Sequence, residues 1–164
     1  MGVNTSISSG VVFFSNATGM TTGNSNNTID NCDIHDGAST PSNLIYVLGN
    51  TTDYNSQNNN NTISNCTLHD WFNASTTGVS VNGSTQMGDA AINIFGGASD
   101  WTITGNSFYQ TATRTFTMVG GTIGVDQDAV FVNNPTYGYN FTISNNYFGG
   151  SRSEEGREGK SVGV

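Results

Sequence analysis

Apolar residues come in short runs along this chain: "GVVFF" (10–14), "NLIYVL" (43–48), "AAINIF" (90–95) and "DAVFV" (128–132). Long stretches of Gly, Asn, Ser and Thr separate them. Within each run two apolar positions alternate with one facing the other way: Val12/Phe14, Ile45/Val47, Ile92/Ile94 and Val130/Val132. That in-and-out period of two predicts strands, and no stretch carries the 3.6-residue period of an amphipathic helix. A ten-residue motif follows each run: "NTIDNCDIHD" (27–36), "NTISNCTLHD" (61–70), "WTITGNSFYQ" (101–110) and "FTISNNYFGG" (141–150). Thr-Ile is kept throughout, with an apolar residue five positions after the isoleucine: Ile34, Leu68, Phe108 and Phe148. A fainter third run is expected from "GVSVNG" (78–83) and "GTIGVD" (121–126).

The central isoleucines Ile29, Ile63, Ile103 and Ile143 lie 34, 40 and 40 residues apart. Repeats of this length built from short strands make solenoids or propellers. A propeller needs four antiparallel strands per blade, and at most three runs are found per repeat. In a solenoid, equivalent residues stack about 4.8 Å apart, so columns of like charge repel while Ile, Thr and Asn columns are favoured. The composition agrees. Residues 1–150 contain no Glu, no Lys and nine Asp against Arg114 alone, which accounts for the whole net charge of −8. A surface so poor in cations does not attract nucleic acid, and no run approaches the roughly 20 apolar residues of a membrane span. Nine Asn-x-Ser/Thr sequons occur, but a chain this rich in those residues supplies them by chance.

The pattern Thr-Ile-x-x-Asn/Cys-x-Phe/Ile resembles the parallel β-helix repeats of pectate-lyase-like proteins. The chain as a whole is similar to secreted bacterial right-handed β-helix repeat proteins. The resemblance implies an all-β right-handed parallel β-helix of about four coils over residues 1–150, with an inward Asn ladder at the column of Cys32, Cys66, Asn106 and Asn146. It also implies an extracellular or cell-surface location. Residues 151–164 change composition abruptly and read as a polar tail. Open strand edges at the ends of the stack would be covered by further coils or by an oligomer, and an excerpt of a longer protein is expected.

Candidate chemistry is sparse. Cys32-x-x-His35 and Cys66-x-x-His69 suggest zinc, but alternation turns each Cys inward and each His outward, so no metal and no cofactor are expected. Cys32 and Cys66 are read as buried free thiols, with a disulfide as the alternative. The outward His35 and His69, beside Asp36 and Asp70, are read as turn-edge polar residues rather than a cation site. Asp126 and Asp128, with Asp89 on the equivalent strand, are the catalytic candidates, because paired carboxylates can serve as acid and base in glycoside hydrolysis. The segment resembles the Asp-Asp motif of polygalacturonases, yet the Gly-His-Gly and Arg-x-Lys motifs of that branch are absent. Arg114, without a Lys partner, argues against a lyase. Phe13, Tyr46 and Phe131 form an outward aromatic column interrupted by Asn93, and Trp71 and Trp101 flank the motif. These are candidates for stacking on a polysaccharide or cell-surface glycan, or simply for packing beneath loops. The expectation is a structural or adhesive β-helix with carbohydrate contact along one face; the alternative is a carbohydrate-active enzyme.

Overall fold

The computed structural model describes residues 10–16, 19, 21–35, 41–72, 79–81, 84–114, 125–134 and 136–149, with backbone alone at 79–81, 84–88 and 125–126. The described residues are all-β, apart from one 3-10 turn at Tyr54–Ser56 capped by Asp53. No described helix is long and apolar enough to cross a membrane.

Three parallel sheets are built by the four repeat copies, each copy giving one strand to each sheet. The first sheet runs β1 (Val12–Ser15), β4 (Asn43–Leu48), β8 (Ser84–Gly96), β11 (Val125–Val132). The second runs β2 (Thr28–Asp30), β5 (Thr62–Ser64), β9 (Thr102–Thr104), β12 (Thr142–Ser144). The third runs β3 (Asp33–Ile34), β6 (Thr67–His69), β10 (Ser107–Tyr109), β13 (Tyr147–Phe148). A short strand, β7 (Val79–Val81), pairs antiparallel with the start of β8. This architecture is consistent with a β-solenoid.

Register follows the columns predicted from sequence. Ile29 pairs with Ile63, Ile63 with Ile103, and Ile103 with Ile143. Val12, Ile45, Ile92 and Val130 likewise fall in one row, with Phe14, Val47, Ile94 and Val132 two residues on. The inner residues of the middle copies, Ile45, Ile63, Leu68, Ile92 and Ile103, are fully buried. Removing each from water contributes about 1.5–3 kcal/mol. At the edge strand of each sheet the same columns open to solvent, as at Ile143 and Phe148.

The third sheet arises differently from the expectation. The faint runs at 78–83 and 121–126 do not supply it: one makes β7 and the other leads into β11. Instead, each ten-residue motif is cut into two strands by a residue in the left-handed region, namely Asn31, Asn65, Gly105 and Asn145. A second such column, Asn26, Asn60, Asp100 and Asn140, immediately precedes each motif. Asn and Asp tolerate this backbone better than other side-chain-bearing residues. Gly105 takes the same left-handed conformation in place of an Asn, and a Cβ there would lie 2.8 Å from Asn65 Oδ1.

The residue after each corner points inward and closes the wall. Asn106 is fully buried. Its Oδ1 accepts from Cys66 N (2.9 Å), and its Nδ2 donates to Ile63 O (3.0 Å) and to Asn146 Oδ1 (3.1 Å). Asn146 repeats the scheme, accepting from Asn106 N and donating to Ile103 O at 2.9 Å each. At the opposite corner Asn61 accepts from Asn27 N (2.9 Å) and donates to Asn24 O (2.9 Å). Side-chain amides suit such corners, since turning the chain leaves buried backbone groups that one amide can both accept from and donate to.

Candidate functional site

The outer face of the third sheet carries most of the chain's chemically distinctive side chains. In the motif alignment His35, His69, Tyr109 and Gly149 share one position. Stacking of the strands brings the rings of His35 and His69 to 4.3 Å and those of His69 and Tyr109 to 5.0 Å. The next position is Gly149, with no side chain and open space where a Cβ would stand. Tyr109 is therefore backed by an imidazole on one side, and the column position on its other side is a glycine.

Asp70 organises the turn behind His69. Its carboxylate accepts from Thr111 N (2.9 Å), Thr111 Oγ1 (2.6 Å) and Arg114 Nη2 (2.5 Å), and contacts His69 Nδ1 at 2.8 Å. Burial raises its pKa, but the Thr111 bonds, the His69 contact and the Arg114 charge outweigh this and hold the carboxyl well below the usual carboxylate range. Arg114 also donates to Gln110 Oε1 at 2.9 Å. The one basic residue of the first 150 thus braces this turn. On the solvent side, His69 Nε2 lies 3.1 Å from Asp33 Oδ1, and His35 Nε2 lies 3.9 Å from Asp33 Oδ2.

Beyond Tyr109 an open groove of about 400 Å3 runs between the third sheet and β11. Trp71, Phe108, Tyr109, Phe148 and Ala129 form its apolar lining; Gln110, Gln127 and Gly149 complete it. The Nε2 atoms of Gln110 and Gln127 both donate to Trp71 O, each at 2.8 Å, which fixes the two amides relative to each other. Trp71 meets Phe108 edge-on, and Phe108 stacks on the exposed Phe148 at 5.3 Å. The buried indole N–H of Trp71 has no acceptor among the described residues. Among the described residues, no acidic or basic side chain lines the groove.

The sequence-predicted residues are dispersed. Asp128 pairs with Ala90, on the row of Val130 and Ile92, whereas Asp89 pairs with Gln127 one residue out of phase. Strand alternation therefore puts Asp89 and Asp128 on opposite faces of the sheet. Asp89 is fully buried and Asp128 half-buried. The side chain of Asp126 lies outside the described residues, as does Asp36. The aromatic column is uneven: Phe13 is exposed, Phe131 is half-buried, and Tyr46 and the intervening Asn93 are covered. Phe13 and Tyr46 nonetheless touch, with ring centres 5.4 Å apart. Trp101 is wholly inside, edge-on to Phe14, with its indole N–H donated to Asn58 O at 2.6 Å. Trp71 is nearly buried, yet it lines the groove.

Both cysteines are free. Cys66 is buried as expected, whereas Cys32 is exposed, because its strands β2 and β3 are the edge strands of their sheets. Sequence reasoning paired the histidines with Asp36 and Asp70. It missed Asp33, whose signal was available: Asp33 and His35 are two residues apart and so share a face. It also missed Tyr109 and the two glutamines, which meet only across sheets. Comparison with family models, with curated proteins and with solved structures finds no match for this chain.

Proposed function

We propose that this chain is part of a right-handed parallel β-helix of about four coils, of the pectate-lyase-like kind, that serves as a structural or adhesive element outside the cell and contacts neutral carbohydrate. One observation carries the carbohydrate contact: Tyr109, stacked on His69, lines a groove whose described residues carry no charge and include two fixed amides. An aromatic face beside Gln110 and Gln127 suits a sugar ring, whose C–H face packs on the aromatic while its hydroxyls bond the amides. The opposed faces of Asp89 and Asp128 remove only the pairing of those two carboxylates from the cleavage reading, whose main pair is Asp126 and Asp128. In this reading the partner is a polysaccharide or cell-surface glycan, and the open edges of the stack meet further coils or another copy.

The test is binding of the full chain to a panel of soluble neutral and acidic polysaccharides, followed by affinity electrophoresis and tryptophan fluorescence. Retention by a neutral glycan is expected, with no release of reducing ends on long incubation. Tyr109→Ala should weaken it by roughly 2–12-fold, the worth of one stacking contact of about 0.5–1.5 kcal/mol. Binding that survives Tyr109→Ala with Gln127→Ala would place the contact elsewhere, and cleavage of any substrate would favour an enzyme.

A further inference from the structure

We propose that Asp33, His35 and His69 form a binding site for a divalent transition cation of the Zn2+ class. One donor atom from each residue can be chosen so that all three lie within 4.8 Å of one another. Neighbouring donors in a zinc shell, with bonds of about 2.0–2.2 Å, stand about 3–3.5 Å apart. The 3.1 Å between His69 Nε2 and Asp33 Oδ1 already meets that spacing. The 3.9 Å from His35 Nε2 to Asp33 Oδ2 is close to it. His35 is exposed and follows β3, so its ring is free to turn out of its stack on His69, where the planes now lie 21° apart with centres 4.3 Å apart, and this turn is what binding requires because an imidazole lone pair lies in the ring plane. Two imidazoles and one carboxylate select borderline cations such as Zn2+, Co2+ or Ni2+ over Ca2+ and Mg2+, which prefer all-oxygen shells.

The groups behind the cluster are arranged as ligand supports. His69 Nδ1 lies 2.8 Å from Asp70 Oδ2, so Nδ1–H donates to this carboxylate and leaves the Nε2 lone pair directed towards Asp33. Asp70 in turn is fixed by Thr111 and Arg114. A carboxylate holding the far nitrogen of a ligating histidine sets its tautomer and orientation and raises its basicity as a ligand. Tyr109 stacked on the His69 ring restrains the same side chain sideways. Three protein donors leave the remaining coordination positions to water, as in open zinc sites. The competing arrangement is a doubly protonated His69 bridging Asp33 and Asp70 with no metal affinity.

The chain has two histidines, and both are in this cluster, so every imidazole signal reports on it. Full-length, metal-stripped protein titrated with Zn2+ alone is expected to bind one saturable equivalent and to shift the 15N resonances of both imidazoles. Co2+ should give visible d–d bands. His35→Ala, His69→Gln and Asp33→Asn should each weaken binding at least about tenfold, and Asp70→Asn, which removes only the support, by about 10–100-fold. Circular dichroism of the exposed His35→Ala variant separates lost binding from lost folding. Cys32→Ser should leave the affinity unchanged. Absence of saturable binding overturns the proposal, as does binding retained in a His35→Ala/His69→Gln double variant or lost in Cys32→Ser. Imidazole resonances that stay those of a doubly protonated His69 in the presence of Zn2+ would establish the bridge instead.

Discussion

Asn106→Ala removes the one side chain that serves three partners at an inner corner of the wall. Truncation leaves Cys66 N–H without its acceptor at an enclosed position, whereas Ile63 C=O loses the Asn106 amide but keeps the ladder bond from Thr104 N–H that the β5–β9 register provides. The orphaned N–H costs about 1–3 kcal/mol and the lost second bond to Ile63 O about 0.5–1.5 kcal/mol, so the expected destabilisation is about 1.5–4.5 kcal/mol. That is a large share of the roughly 5–15 kcal/mol by which a domain is stable. The bond lost to Asn146 adds little, since Asn146 is half-buried and water can replace it. Asn146→Ala makes the internal comparison, because the same chemistry at a half-buried site should cost about half as much or less. Asn106→Cys should fall between wild type and Asn106→Ala. The fold itself places Cys66 in this column, where the thiol donates to Ser64 O at 3.1 Å but offers the neighbouring backbone N–H no comparable acceptor. Urea denaturation followed by fluorescence of the buried Trp101 measures these differences as shifts in midpoint at constant slope. An Asn106→Ala variant within about 0.5 kcal/mol of wild type would refute the claim that inward amides hold the corners. So would an Asn146→Ala variant less stable than Asn106→Ala.

Two further outcomes are expected. A thiol reagent should modify Cys32 at once and Cys66 only on unfolding, because Cys66 is enclosed and burial pushes its thiol pKa up; two equally fast thiols, or none, would contradict the placement of these residues. Asp30 should titrate below the usual carboxylate range, because Ser64 Oγ (2.6 Å) and Asn65 Nδ2 (2.9 Å) donate to it from the neighbouring strand and corner, with Asn31 Nδ2 on its other oxygen. Folding lowers this pKa, so the stability it confers is full above the unfolded value of about 4 and fades as pH falls through the folded value. NMR titration should show the folded pKa rising most in Ser64→Ala, and an unchanged Asp30 in that variant would contradict the assignment.

What the sequence determined by itself is the set of columns. A motif recurring at 34, 40 and 40 residues puts Ile29, Ile63, Ile103 and Ile143 side by side, because stacked parallel strands of one register admit no other neighbour. The inward turn of Ile34 and Leu68, and with it the outward turn of His35 and His69, follows from alternation alone. The corner inside each motif was not legible as such. The inward Asn106 and Asn146 were expected from the repeat column, but Asn is common throughout this chain, and only backbone geometry marks Asn31, Asn65 and Asn145 as left-handed. Tertiary structure alone decided which members of a column are covered. Cys66, Tyr46 and Trp101, in the inner copies, are buried, while Cys32, Phe13 and Phe148, at the edge strands of their sheets, are open. Likewise, the meeting of Asp33 with both histidines, and of Gln127 with Gln110 over Trp71, depends on side-chain reach between strands and between sheets, which a repeat period does not encode.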